Sequence, residues 1–190
     1  MTRPGRARVA AAQGFLADAR RVASPNFDAR PAGTAVSLLV VHAISLPPGV
    51  FGGDAIERLF TNRLDPGAHP AFAPVAGLRV SAHFLLRRDG ELIQFVSADK
   101  RAWHAGESRW RGRAACNDFS IGVELEGDEH TAFGDVQYER LTALVAQLRR
   151  MYPLRDIAGH EDIAPQRKRD PGPHFDWLRL LRAVSQHDLR

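Results

Sequence analysis

A histidine (His160), a lysine (Lys168) and an aspartate (Asp170) fall within one short stretch, which reads GlyHisGluAspIleAlaProGlnArgLysArgAspProGlyPro over residues 159–173. Its glycines and prolines force turns, and turns on a rigid scaffold are where a metal-assisted hydrolase gathers ligands and a charge stabiliser. Two ligands do not make a site. A third candidate closes an apolar run, LeuLeuValValHisAla at residues 38–43, where His42 stands just before a loop rich in proline and glycine. Strand ends that open into loops are common positions for ligands and catalytic groups. The working assignment is a zinc site made of His42, His160 and Asp170.

These residues need elements to hold them. Residues 37–42 read as a strand, because a continuous apolar run bounded by turn residues suits a sheet covered on both faces. Residues 79–87 and 92–96 flank ArgAspGlyGlu and read as a hairpin, since Asp-Gly supplies the positive backbone angle of a tight turn. Residues 120–126 form a further strand, whose alternation puts Glu124 and Glu126 on one face. The clearest helix is 137–151, with Leu141, Leu144, Val145 and Leu148 at helical spacing. A short strand at 156–158 precedes His160, and a last helix covers 176–184. Residues 14–22 read as a short amphipathic helix or turn. Residues 43–77 form a loop broken by Pro and Gly, with room for one short helix near 54–60; a loop of that length is usually functional.

The sum is an α/β fold: one domain with a central mixed β-sheet flanked by helices. Its expected limits are residues 13–185, after a flexible basic extension at 1–12 and before a C-terminal tail at 186–190. A chain of 190 residues is long enough for one such domain and short for two. At 44% apolar and 25% charged residues, the composition excludes disorder, collagen and coiled coil without naming a function. The net charge of +4 permits an anionic partner. The arginines are scattered and no nucleic-acid-binding signature occurs, so nucleic acid is not expected, whereas a substrate bearing carboxylates fits. Cys116 is the only cysteine, which excludes an intramolecular disulfide and points to a reducing compartment. Its AlaAlaCysAsn setting matches no thiol-protease signature, so a buried thiol is expected. With no apolar run of signal-peptide or membrane-span length, the expected setting is the cytoplasm, without membrane contact and as a monomer.

Five segments together carry a resemblance. They are LeuLeuValValHisAlaIleSerLeuProProGly, ArgValSerAlaHisPheLeuLeuArgArgAspGly, AspLysArgAlaTrpHisAlaGlyGluSer, CysAsnAspPheSerIleGlyValGluLeuGluGly, and the stretch from Gly159 to Trp177. Over nearly the whole chain the sequence resembles the cytoplasmic AmpD-type 1,6-anhydro-N-acetylmuramyl-L-alanine amidases, within the zinc amidase family that includes phage amidases and peptidoglycan recognition proteins. The resemblance implies hydrolysis of the amide between the lactyl group of anhydromuramic acid and the L-alanine of the stem peptide, during cell-wall recycling. It implies one zinc per chain on His42, His160 and Asp170, with Lys168 offering charge to the oxyanion. Glu124 would move a proton from the attacking water to the leaving amine. An amide is a poor electrophile, and those three services are what its hydrolysis requires.

The bland alternatives are clear. A lone histidine at a strand end is usually a hydrogen-bonded structural residue, and it is the flanking motifs that favour ligation by His42. Period-2 logic cannot separate Glu124 from Glu126; the family position favours Glu124. Lys168 lies between Arg167 and Arg169, and charge runs are usually solvated. His83 is expected to pack or hydrogen-bond beneath the site. Trp103 and His104 stand in a loop where they could line a glycan or peptide groove. His69, His130, His174 and His187 have no motif support. Relatives carry asparagine at Ala43 and arginine at Ala115, and phage members carry tyrosine at Ala82. The departures at Ala43 and Ala115 leave the zinc chemistry intact but weaken the inferred grip on substrate, for which Arg79 and Arg113 are the candidate carboxylate partners, and the one at Ala82 throws more of the proton transfer onto Glu124. Two other readings are a binding module that has lost catalysis, disfavoured by the presence of Asp170, Glu124 and Lys168, and an amidase of intact cell-wall polymer, which would need export.

Overall fold

The structure, a computed structural model, describes residues 14–188. The extension expected at 1–12 lies outside the described residues. In chain order the strands are β1 (Arg20–Arg21), β2 (Phe27–Asp28), β3 (Leu38–Ile44), β4 (Phe84–Leu86), β5 (Leu92–Gln94), β6 (Arg101–Ala102), β7 (Arg109–Trp110), β8 (Arg113–Ala114), β9 (Ser120–Glu126) and β10 (Asp156–Gly159). The helices are α1 (Ala55–Phe60), α2 (Asp135–Met151), α3 (His160–Ile163) and α4 (Trp177–Asp188). Six strands form one sheet in the order β1-β5-β4-β9-β3-β10. Only the β4–β5 pair is antiparallel, so the sheet is mixed, as the sequence implies.

The two faces of this sheet explain the apolar run of β3. Leu39 and Val41, with Ile121 and Val123 of β9, pack against Leu141, Leu144, Val145 and Leu148 of α2 and Leu180 and Val184 of α4. Leu38 and Val40 point the other way, into a cluster with Cys116, Phe119 and Ile163. Both faces are therefore dry, and each fully buried Leu or Val contributes about 1.5–3 kcal/mol. His42 follows Leu38 and Val40 on that second face, where the parallel register sets it beside Glu124.

Local chemistry then delivers the other site residues. The Gly159 N–H donates to Asp162 Oδ2 at 2.7 Å, so β10 turns straight into α3 at His160. The Glu161 N–H donates to the Asp170 carbonyl at 2.8 Å and holds Asp170 against α3. Gly159 permits this approach: a Cβ there would lie 2.9 Å from Pro171 Cδ. At the start of α2, Gln137 Oε1 accepts the Gly134 N–H at 3.0 Å, while its Nε2 donates to the Glu126 carbonyl at 3.0 Å. That amide ties the helix to the end of β9.

Three expectations change. Residues 14–22, read as a short helix or turn, keep turns at residues 14 and 17–18 but form no helix: Gln94 donates to the Gly14 carbonyl at 2.8 Å and accepts the Leu16 N–H at 2.9 Å, leading the chain into β1 along the open edge of β5. Pairing with a ready sheet edge outweighs a weak amphipathic pattern. The first hairpin strand shortens to Phe84–Leu86, because the backbone of Ser81 is taken by Trp103 instead. The stretch read as a tail from residue 186 continues α4 to Asp188.

Candidate metal centre and active site

At one end of β3 and β10, three donor atoms converge. His42 Nδ1 lies 2.9 Å from His160 Nδ1 and 3.2 Å from Asp170 Oδ2, and His160 Nδ1 lies 3.1 Å from the same oxygen. Both histidines are buried and Asp170 is partly so, a grouping that could hold a metal ion. Burial pushes the His42 pKa down to about 4, so the ring is neutral at pH 7 and has a lone pair to give. Burial works against the charge of Asp170, yet the two imidazoles outweigh it and hold the carboxyl below the usual carboxylate range. The outer nitrogens are also engaged: His160 Nε2 meets the Ala105 carbonyl at 3.2 Å, and His42 Nε2 meets His104 Nδ1 at 2.9 Å.

Glu124 borders this cluster, its Oε1 4.0 Å from His42 Nδ1. Its Oε2 is buried with no partner among the described residues. Burial first, and the charge of Asp170 second, raise its pKa well above the usual carboxylate value, with Lys168 opposing. A carboxylate so placed binds a proton readily. Lys168 lines the same cavity, whereas Arg167 donates to the carbonyls of Ala105 and Glu107 and Arg169 to that of Pro165. The charge run thus divides into two arginines that fasten the loop and one ammonium that faces the site.

The cavity holding these groups has a volume of about 230 Å³ and is walled by Ala43, Ile44, Leu59, Phe60, Leu78, Val80, Ser81, Trp103 and His104 besides the five polar residues. A larger cavity of about 490 Å³ lies at the other end of β3, beside Ser37 and Asp156. It lacks any cluster of ligating groups, so volume does not select the site. Arg113 lines that distant cavity and packs over the Phe119 ring at 3.8 Å, so the structure does not bring it to the metal cluster. Arg79 is exposed, between the cavity residues Leu78 and Val80. Ala115 is exposed with a left-handed φ of 59°, and Ala82 is buried in the core. His83 lies beneath the site as expected, accepting the Gly122 N–H at Nδ1 over 3.0 Å. Cys116 is buried, which raises its thiol pKa. Sequence reasoning missed Ser120, Asn117 and Gly122 as neighbours of the site. The available signal was Gly122 itself, since glycine inside a strand often marks a close approach.

With the geometry in place, the relatives give it a class. The N-acetylmuramoyl-L-alanine amidase family profile matches residues 32–173. The chain belongs to that family, whose members are hydrolases of an amide bond. It is 57% identical over 176 residues to the 1,6-anhydro-N-acetylmuramyl-L-alanine amidase AmpD of Escherichia coli K12, covering 92% of this chain and 96% of that protein. The AmpD of Haemophilus influenzae is 49% identical, covering 91% and 96%. A crystal structure of a selenomethionine AmpD derivative superposes with a TM-score of 0.89 at 57% identity, covering 90% of this chain and 97% of that one. The Escherichia coli amidase AmiD, in complex with anhydro-N-acetylmuramic acid-L-Ala-D-γ-Glu-L-Lys, superposes with a TM-score of 0.58 at 29% identity, covering 81% and 60%. Among the described residues no helix is long and apolar enough to cross a membrane.

Proposed function

We propose that this chain is a zinc-dependent cytoplasmic amidase of peptidoglycan recycling, cleaving the amide between the lactyl group of 1,6-anhydro-N-acetylmuramic acid and the L-alanine of the stem peptide. The observation that carries the reading is the meeting of His42, His160, Asp170, Glu124 and Lys168 at one cavity. The donor set suits zinc: two imidazole nitrogens and a carboxylate oxygen are its usual ligands. A tetrahedral site with bonds of about 2.0 Å separates its ligand atoms by about 3.3 Å. The observed separations of 2.9–3.2 Å are close to that.

Zinc supplies Lewis acidity and lowers the pKa of water toward about 7. The chain supplies the rest. Glu124, whose burial raises its affinity for a proton, takes as the carboxylate the proton of the attacking water and returns it to the departing amine of L-alanine. Lys168 presents a positive charge to the oxyanion that forms on the scissile carbonyl. Leu59, Phe60, Leu78 and Val80 give the cavity an apolar wall, which lowers the local dielectric and strengthens both interactions. Ala43 and Trp103 line the substrate side, and exposed Arg79 at the rim is the candidate partner for a stem-peptide carboxylate.

The test is incubation of purified protein with an anhydromuramyl peptide and, in parallel, with intact cell-wall polymer. Free stem peptide should appear from the first, vanish on chelation and return with added zinc, at one zinc per chain. Cleavage that survives chelation, or stoichiometric zinc in His160→Ala, contradicts the assignment. Preferential cleavage of the polymer contradicts the substrate.

A further inference from the structure

His42 can serve the cluster through Nδ1 only if its proton sits on Nε2, and the structure contains a chain of bonds that dictates this. The Ser120 hydroxyl donates its single proton to the Cys116 carbonyl at 2.6 Å, an oxygen that can only accept. Toward His104 Nε2, 3.2 Å away, Ser120 Oγ can therefore only accept, so that nitrogen carries the proton. The neutral His104 ring is then left with an acceptor at Nδ1, which faces His42 Nε2 at 2.9 Å. His42 must donate there, and its lone pair is left at Nδ1. The direction of every bond follows from one backbone carbonyl.

The strand beneath is shaped for this ring. Gly122 is the third residue of β9, and a Cβ there would fall 2.5 Å from His104 Cγ. No positive φ requires glycine at this position, so the imidazole is the reason for it. Asn117 Oδ1 accepts the N–H groups of His104 at 3.2 Å and Ala105 at 2.8 Å. One side chain thereby holds both the ring that faces His42 and the residue whose carbonyl faces His160 Nε2.

We propose that His104 is a positioning residue rather than a substrate ligand: with Ser120 and the Cys116 carbonyl it locks the His42 tautomer and ring angle that a metal at Nδ1 requires, and Gly122 makes room for it. This rests on the reading of His42, His160 and Asp170 as a metal site. Partners of this kind on a ligating histidine are worth about 10- to 100-fold in metal affinity.

The experiment is zinc competition against a chromogenic chelator for the wild type, His42→Ala, His104→Asn and His104→Leu, with imidazole nitrogen NMR on the metal-free wild type. Asn keeps an acceptor near the position of Nδ1, whereas Leu keeps bulk alone. His104→Leu should bind zinc about 10- to 100-fold more weakly, His104→Asn should stay near wild type, and His42 should carry its proton on Nε2. Equal affinities for the Asn and Leu variants, or a His42 protonated at Nδ1 in the wild type, overturn the proposal; the NMR result stands even if a variant fails to fold. Unchanged zinc affinity in His42→Ala would instead remove the metal site itself. Gly122→Ala should weaken zinc as His104→Leu does, and wild-type affinity there would also overturn the proposal.

Discussion

Glu124 and Glu126 lie two residues apart on one face of β9, both buried, at 9% and 2% exposure, yet their surroundings are opposite. Glu126 accepts from Arg87 Nη1 at 2.9 Å, the Gly52 N–H at 2.7 Å and the Arg88 N–H at 3.2 Å. Arg87 is tied in turn to Glu57 at 2.9 Å, and Glu57 to Arg20 at 2.7 Å. That carboxylate is the buried end of an ion-pair network, with its charge compensated on every side. Glu124 has one oxygen without a partner and the other 4.0 Å from an imidazole nitrogen. Burial is common to both, so it cannot be what distinguishes chemistry from structure. The difference is satisfaction: Glu126 has its donors fixed around it, whereas a buried carboxylate without partners can gain and lose a proton as a reaction demands.

The largest effect that would sharpen this contrast is on turnover. Glu124→Gln should retain zinc and fold while losing about 10²- to 10⁴-fold in kcat, as for a lost general base. Lys168→Ala should fall in the same range through loss of the oxyanion charge. Glu126→Gln should do the reverse. It leaves Arg87, buried at 8% side-chain exposure, without one of its two carboxylates at 2.9 Å, a change that costs about 3–5 kcal/mol. Because Glu57 still holds Arg87, the lower end of that range is expected in denaturant titrations, with kcat within about tenfold of wild type. A folded Glu126→Gln with the poorer turnover of the two would exchange the roles assigned here.

Why sequence alone could not make this distinction is plain from the partners. Alternation correctly put the two glutamates on one face, but Arg87 is 39 positions from Glu126. Nothing in the local pattern of β9 reports that pairing. The elements that were legible are those whose cause is local: β3 through burial on both faces, the β4–β5 turn through Asp-Gly, and α2 through its leucine spacing. Of the three clustered donors, His160 and Asp170 stood out because they share one Gly- and Pro-rich motif, and the family resemblance joined His42 to them. What stayed hidden was made by distant contacts. Gln94 captures the chain at Gly14 and Leu16, Arg30 donates to the carbonyls of Ala98, Asn117, Asp118 and Ser120, and His104 lies on Gly122. Arg113 shows the converse, a residue of suitable type that folding sends to the other end of β3.

The smallest effect is also the most direct test of the electrostatic half of the comparison. Burial and the nearby Asp170 raise the folded-state pKa of Glu124 above its ordinary 4.5, so the folded metal-free protein binds that proton more tightly than the unfolded chain does. Its contribution is therefore fully present below pH 4.5 and is lost as pH rises through the raised value. At neutral pH the wild type carries a penalty that a neutral, isosteric glutamine does not. Chelator-treated Glu124→Gln should accordingly be more stable than chelator-treated wild type at pH 7.5, and the gap should close as pH falls toward 4.5. Glu126→Gln has the opposite sign at neutral pH, because there the substitution removes a satisfied charge. Denaturant midpoints for the three proteins at several pH values decide the matter. A Glu124→Gln gain of constant size across that range would mean that the substitution acts through packing, and that the proton affinity of Glu124 is not what separates it from its neighbour.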